Sequence, residues 1–280
     1  MGGVVPDSES LRRQVAQALE EDLGGGDLTA GLIAAEARSR VEVVCRESAV
    51  LCGTPWFDAV FRQLDGRLEI DWTAQDGDRL SPGQVICRMQ GNTRALLTGE
   101  RTALNYLQTL SGTATLARRY ADAVAGTGAR ILDTRKTIPG LRLQQKYAVG
   151  CGGCANHRIG LYDAILIKEN HIHAAGSIAA ALRAAADGAP PGIGIEIEVE
   201  SLDQLEEALA AGARHVLLDN FDLQSLSDAV KLNAGRARLE ASGNVNLETV
   251  RAIAETGVDD ISVGALTKDV KAVDLSMRFV

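Results

Sequence analysis

From residue 129 onward the chain repeats one block: a short apolar run, a polar or charged cluster, then a stretch with helical spacing. The runs are ARILDTRKT (129–137), DAILIKENH (163–171), IGIEIEVES (193–201), RHVLLDNF (214–221), RLEASGN (238–244) and DDISVGALT (259–267). Each holds four to six residues rich in Ile, Leu and Val, as expected of a strand covered on both faces of a parallel sheet. Each then ends in residues such a strand would not tolerate: Arg135 and Lys136, Lys168, Glu198, Asp219, Ser242, Gly264. Polar groups gathered at the C-terminal ends of successive parallel strands are how a β/α barrel builds an active site, so the pattern predicts an enzyme. The connecting stretches 178–188, 201–212, 223–235 and 246–257 read as helices ending in Gly, several opening on Ser, Asn or Asp as caps. Six strands are visible, fewer than the eight of a closed barrel.

The first part of the chain follows another rhythm. Residues 8–22 form an amphipathic pattern with Ser8 or Ser10 near the N-cap, halted by Gly24-Gly25-Gly26. Residues 39–90 alternate as strands with turn signals at Asp76-Gly77-Asp78 and Ser81-Pro82-Gly83, which predicts a small antiparallel unit. Residues 94–125 read as helices interrupted near Ser111-Gly112, and the apolar pattern after Lys271 is expected to return to the first domain. The expected division is therefore an N-terminal domain with its helical connector over 1–112, a β/α barrel over 113–270, and a returning tail over 271–280.

Composition narrows the function. A net charge of −8 and 4% aromatic residues argue against nucleic acid as a partner. No apolar stretch reaches the roughly 20 residues that span a bilayer, and the N-terminus lacks the basic and apolar regions of a signal peptide. Five scattered cysteines fit reduced thiols in a cytoplasmic protein better than a disulfide framework. Within this acidic chain, residues 130–171 carry seven Lys or Arg against three acids. A local cationic focus of that kind predicts a small anionic ligand.

The chemistry lies at the strand ends. Arg135, after Asp133-Thr134, offers a planar fork for carboxylate or phosphate, and Lys136 a mobile point charge. Lys168 follows AILI directly, too deep for a solvated face. The segment Gly150-Cys151-Gly152-Gly153-Cys154-Ala155-Asn156-His157-Arg158 has a Cys-x-x-Cys spacing that invites zinc, but no second ligand pair accompanies it. Its glycines point instead to a loop whose backbone approaches a ligand, with His157 and Arg158 as the functional pair; no zinc is expected. Glu196, Glu198 and Glu200 share one strand face, and Glu198 is expected to reach the site while Glu196 lies deeper. Glu198 and Asp219 on adjacent strand ends suit a Mg²⁺ ion brought in by a phosphate ligand, with ion pairing to Arg135, Lys136 or Lys168 as the alternative. Ser242-Gly243-Asn244 and Val263-Gly264-Ala265 close the last two strands in the position of a phosphate cradle.

Taken together, these residues resemble the quinolinate phosphoribosyltransferases. The likeness spans nearly the whole chain: Gly26-Asp27-Leu28-Thr29, Glu100-Arg101-Thr102-Ala103-Leu104-Asn105, and the runs DTRKT, GGCANHR, KENH, EIEV, LLDNF, EASGN and VGALT. The resemblance implies an N-terminal α/β sandwich domain, an incomplete β/α (TIM-like) barrel, and a homodimer with shared active sites. It implies transfer of phosphoribose from phosphoribosyl pyrophosphate to quinolinate with loss of CO₂, a step of NAD biosynthesis. Arg135, His157, Arg158 and a partner's Arg101 would bind the two carboxylates. Lys136, Lys168, Glu198 and Asp219 would form the catalytic set around the phosphoribosyl donor, the two acids also holding its Mg²⁺. The loops 242–244 and 263–265 would contact the donor's 5′-phosphate, and Thr134 is a further substrate-binding residue. The family pattern has a glycine where Cys154 stands; if that position needs a positive φ, Cys154 would strain the loop. Outside this reading stand a related transferase for another aromatic acid, a lyase with Lys168 as Schiff-base nucleophile, and a Cys151/Cys154 metal or redox module.

Overall fold

The computed structural model describes residues 7–280, which divide into two compact units. The first takes in the chain up to Arg118 together with 143–153 and 269–280; the second takes in 119–142 and 154–268.

In the first unit, helix α1 (Ser8–Leu23) is capped by the Asp7 carboxylate, which accepts from the Ser10 N–H, so the cap is Asp7 rather than Ser8 or Ser10. Strands β1 (Arg38–Cys45) and β2 (Ala49–Val50) follow, then helix α2 (Thr54–Leu64). Strands β3 (Glu69–Trp72), β4 (Arg79–Leu80) and β5 (Val85–Asn92) complete this stretch. Helix α2 lies within the strand-rich stretch 39–90, where no helix was expected. Its signal is Pro at the first turn and a stripe of Trp56, Phe57, Val60 and Phe61, all fully buried. Each such side chain contributes roughly 2–3 kcal/mol by leaving water. Helix α3 (Thr93–Ala123) runs unbroken through Ser111-Gly112, against expectation. Gly112 is small there because a β-carbon would meet the Lys271 carbonyl oxygen, and the Ser111 hydroxyl bonds the Cys52 backbone at 2.9 and 3.1 Å. Both residues serve close packing instead of interrupting the helix. The main sheet of this unit is antiparallel, with β1 between β5 and the C-terminal strand, and β3 outside β5.

In the second unit all six predicted runs are strands: β6 (Arg130–Leu132), β7 (Ala164–Ile167), β8 (Gly194–Val199), β9 (His215–Asp219), β10 (Arg238–Ser242) and β11 (Asp260–Ser262). They form one parallel sheet in the order β6-β11-β10-β9-β8-β7. Between β6 and β7 comes helix α4 (Arg142–Cys151), which from Leu143 groups with the first unit. The remaining helices are α5 (Glu169–Ala175), α6 (Ile178–Gly188), α7 (Leu202–Ala210), α8 (Leu223–Asn233), α9 (Val250–Glu255) and the single turn α10 (Ala265–Lys268). Edge strands β6 and β7 are not bonded to each other, so the barrel is incomplete; residue Ala155 instead bridges Leu132 on β6. The last strand, β12 (Leu275–Phe279), pairs with β1 in the first unit. No helix among the described residues is long and apolar enough to cross a membrane.

Candidate active site

Because the six strands are parallel, their C-terminal ends lie at one end of the sheet, and the residues flagged in the sequence converge there. After β6, Thr134 Oγ1 accepts from the Lys136 N–H at 3.0 Å, which turns the chain. The Lys136 carbonyl accepts from Thr267 Oγ1 at 2.7 Å, tying this loop to the one after β11. The Lys136 stem lies across Gly264, with Cδ 3.2 Å from where a β-carbon there would stand. Thus Thr134, Lys136 and the 263–265 turn form one cluster, as adjacency of β6 and β11 requires.

Fully buried Asp133 organises the next segment. Its carboxylate accepts from Asn156 Nδ2 at 2.7 Å and from the His157 N–H at 2.9 Å. Asp163 holds the following turn through the Ile159 and Gly160 N–H groups at 2.7 and 2.8 Å. Arg158, so placed, donates from Nη1 to the Ala164 carbonyl at 3.2 Å. Burial lowers its pKa, and so does the nearby charge of Arg135, partly offset by Glu196 and Asp163. It stays charged, since an arginine begins so high. Arg135 Nε is buried with no hydrogen-bond partner. Two guanidinium groups sharing a small region, one with an orphaned donor, form a strong attractor for a small polyanion.

His157 presents a different picture. Its Nδ1 accepts from the Arg158 N–H at 2.7 Å, so the ring proton sits on Nε2 and points to Glu196 Oε2 at 3.0 Å. Glu240 Oε2 lies 3.6 Å from the same nitrogen. Both ring nitrogens are therefore engaged by the protein, and no ring lone pair remains for a cation. Glu240 is a site residue that sequence reasoning missed, and Glu196, set aside there as lying deeper than Glu198, joins it. A glutamate in the middle of an apolar strand run, as in EIEV and RLEAS, was the available signal.

Lys168 ends β7 as the N-cap of α5, with its ammonium on Glu198 Oε2. That ion pair is the alternative weighed for Glu198 in the sequence. Lys168 is 44% exposed at its side chain and salt-bridged, not the desolvated amine that a Schiff-base nucleophile requires. Asp219 accepts from Asn220 Nδ2 at 2.8 Å, and the Asn220 N–H donates to the Ser242 carbonyl at 2.9 Å. Gly243, at φ +104°, leaves no room for a β-carbon beside Asn220, and Asn244 is left-handed at φ 51°. The loops after β9 and β10 interlock at these residues. Arg101 stands exposed on α3 in the first unit, and the structure does not bring it into this set.

Cys151 does not pair with Cys154. Its sulfur groups with Cys52 and Asp76, their ligand atoms lying within 4.8 Å of one another in the first unit. Cys154 is not among the positive-φ residues, so the strain considered for it does not arise.

Comparison with known proteins assigns the family. The chain matches the quinolinate phosphoribosyl transferase N-terminal domain over residues 27–111 and the C-terminal domain over 113–278. A probable nicotinate-nucleotide pyrophosphorylase [carboxylating] of Bacillus subtilis is 43% identical over 267 residues, covering 95% of this chain and 92% of the relative. That of Synechocystis is 42% identical, covering 94% and 90%. Among solved structures, the nicotinate-nucleotide pyrophosphorylase from Francisella tularensis aligns with TM-score 0.94 at 42% identity, covering 100% of this chain and 99% of the other. This chain belongs to the quinolinate phosphoribosyl transferase family.

Proposed function

We propose that this chain transfers the phosphoribosyl group of phosphoribosyl pyrophosphate to quinolinate and releases pyrophosphate and CO₂, giving nicotinate mononucleotide. The observation that carries this reading is the Arg135–Arg158 pair, with a buried Nε donor on Arg135 awaiting an acceptor. Quinolinate carries two adjacent carboxylates, and a forked cation for each matches its charge and planarity. Family relatives named for this reaction support the substrate.

The ring nitrogen of quinolinate forms a bond to the ribose C1′ as the bond from C1′ to the pyrophosphate oxygen breaks. The C2–carboxylate bond then breaks, its electron pair stays at C2, and a proton takes the place of CO₂. Arg135 and Arg158 would hold the carboxylates so that the nitrogen meets C1′, and their charge would stabilise the negative charge left at C2. Lys136 and Lys168 would receive the pyrophosphate oxygens, Lys168 exchanging its bond to Glu198 for one to phosphate. Thr134 and the 242–244 and 263–265 turns would cradle the remaining phosphate. Glu198 and Asp219 fit the ribose hydroxyls. Two carboxylates, one already facing an ammonium, fit a Mg²⁺ ion that arrives with the donor better than a protein-only cage, and such an ion would neutralise the leaving pyrophosphate.

A homodimer with shared sites is part of the proposal. Leu28 and Leu32 are 94% and 83% exposed, an unusual pair for a monomer's surface. Their segment is tied to α3 by Thr98 Oγ1 on Asp27 at 2.8 Å, one turn before exposed Arg101. An apolar contact beside Arg101 would deliver that guanidinium to a neighbouring copy. A cytoplasmic location agrees with the five free cysteines.

The test is a phosphoribosyl pyrophosphate-dependent assay with quinolinate against nicotinate, following CO₂ and pyrophosphate. Absence of quinolinate turnover by folded protein overturns the reading. Mixing inactive Arg101→Ala and Lys168→Ala chains is expected to restore part of the activity; no restoration would refute shared sites.

A further inference from the structure

Beneath the carboxylate-binding arginines, the interior of the barrel holds an excess of acid. Glu196 on β8 and Glu240 on β10 both face His157 Nε2, and their ligand atoms lie within 4.8 Å of each other and of the ring. Side-chain exposures are 12% for Glu196, 6% for Glu240 and 14% for His157. The Nε2 atom has one proton, which Glu196 takes at 3.0 Å; Glu240, at 3.6 Å, is beyond hydrogen-bond length. Glu240 Oε1 is buried with no hydrogen-bond partner, and the Ser262 side chain is the polar group beside the carboxyl.

The charged or titratable groups that act on Glu240 are Glu196, His157 and Asp260, and of these His157 alone favours its ionised form. Asp260 on β11 is the next acid, and it takes Arg130 Nε at 2.8 Å and Arg238 Nε at 2.9 Å for itself. An ionised Glu240 would therefore be a buried anion beside another anion, Glu196. That arrangement is far costlier than a neutral carboxylic acid in the same place.

We propose that Glu240 is a positioning residue: a buried neutral carboxylic acid that leaves Glu196 as the sole anion facing His157, and so locks the imidazole and the Arg158 backbone bonded to it in one orientation. The chain of consequence is short. The Glu196 carboxylate fixes the Nε2 proton, the free Nδ1 lone pair fixes the Arg158 N–H, and Arg158 is thereby aimed for the substrate carboxylate. Ionisation of Glu240 would place a second negative charge beside Nε2, compete with Glu196 for its proton and release that lock. Burial first, then the Glu196 charge, push the Glu240 carboxyl up to about 8, with His157 and Ser262 offsetting part and Asp260 adding to the rise. The device thus holds at neutral pH and fails in mild alkali. This inference rests on the proposed reaction only for its kinetic readout.

The experiment uses full-length protein labelled with ¹⁵N-histidine, His157 being assigned through His157→Asn. The wild type is expected to show the Nε2–H form at pH 7 and a change in the His157 nitrogen shifts centred near pH 8. Glu240→Gln, which copies the protonated acid but cannot ionise, is expected to abolish that change. In steady-state kinetics the KM for quinolinate is expected to rise above pH 8 in the wild type while that for phosphoribosyl pyrophosphate stays level, and the rise is lost in Glu240→Gln. Glu196→Gln, which removes the charged acceptor, should raise the quinolinate KM about tenfold or more at pH 7. A wild-type His157 spectrum that does not change between pH 7 and 9, or an alkaline rise that persists in Glu240→Gln, overturns the proposal. Absence of quinolinate turnover would instead strike the functional reading, and the nitrogen spectra would still decide where the proton resides.

Discussion

Cys52, Asp76 and Cys151 in the first unit, and His157, Glu196 and Glu240 in the second, each bring three reactive side chains within 4.8 Å. In the first group every strong acceptor is occupied. Asp76 takes the Gly53 and Thr54 N–H groups at 3.0 and 3.2 Å, which caps α2, and the Tyr147 hydroxyl at 2.8 Å. Burial pushes the Cys52 thiol well up, so it stays protonated and donates to Cys151, whose own pKa is lowered mainly by that bond. In the second group one carboxyl oxygen is buried without a partner, and one imidazole proton faces two carboxyl groups. A satisfied network of buried polar groups stabilises a fold; an unsatisfied one is retained only where something else requires it. The difference separates structure from function without reference to what either group resembles.

The comparison can be broken in several ways. Asp76→Ala removes three hydrogen bonds at once and is expected to destabilise the protein by about 3 kcal/mol or more, read by chemical denaturation. A smaller loss would mean that the thiol cluster does not support the fold.

Glu240→Gln is expected to do the reverse. Its folded carboxyl is raised from 4.5 to about 8, so the folded state keeps a proton that the unfolded chain releases. Between those values the acid therefore costs increasing stability as pH rises. Replacing it should stabilise by a few kcal/mol at pH 8 and hardly at all at pH 4.5, at about 1.4 kcal/mol per unit. An equal effect at both values would show that Glu240 is ionised throughout.

Asp260 sharpens the contrast as the acid with partners. Burial alone would raise its pKa, but hydrogen bonds from Arg130 and Arg238 hold it below the usual carboxylate range. Its contribution is present above that range and lost as pH falls through the lowered value. With arginines 44% and 40% exposed, Asp260→Asn should cost only about 1–2 kcal/mol at pH 7, less in acid, by thermal melting. The smallest effect belongs to Cys151→Ser, about 1 kcal/mol or less. Stoichiometric zinc should leave the melting temperature of the wild type unchanged, and a clear rise would reopen the metal reading of the thiols.

The barrel was legible because its strands are covered on both faces and so read as unbroken apolar runs, punctuated by the charged residues that close them. The strand ends were legible for the same reason: Lys168 after AILI and Asp219 after VLL stand out against their neighbours. Helix α2 was not, since its aromatic stripe lies between alternating strands in a segment of short elements. Glu240 and the role of Glu196 were hidden because a glutamate inside a strand run shows only its position, and the partner of Glu196 comes from a loop 39 residues away. The Cys-x-x-Cys spacing at 151–154 is local, whereas the thiol that Cys151 meets is Cys52, about a hundred residues earlier.

By itself the sequence determined the class of fold, the positions of its six barrel strands and the cationic rim, since periodicity and strand-end chemistry are local properties. Tertiary structure alone decided which acid faces which cation: Lys168 on Glu198, two arginines on Asp260, and one imidazole between two glutamates. Protonation in a buried site depends on distances of a few ångströms between strands far apart in the chain, and no local pattern carries them.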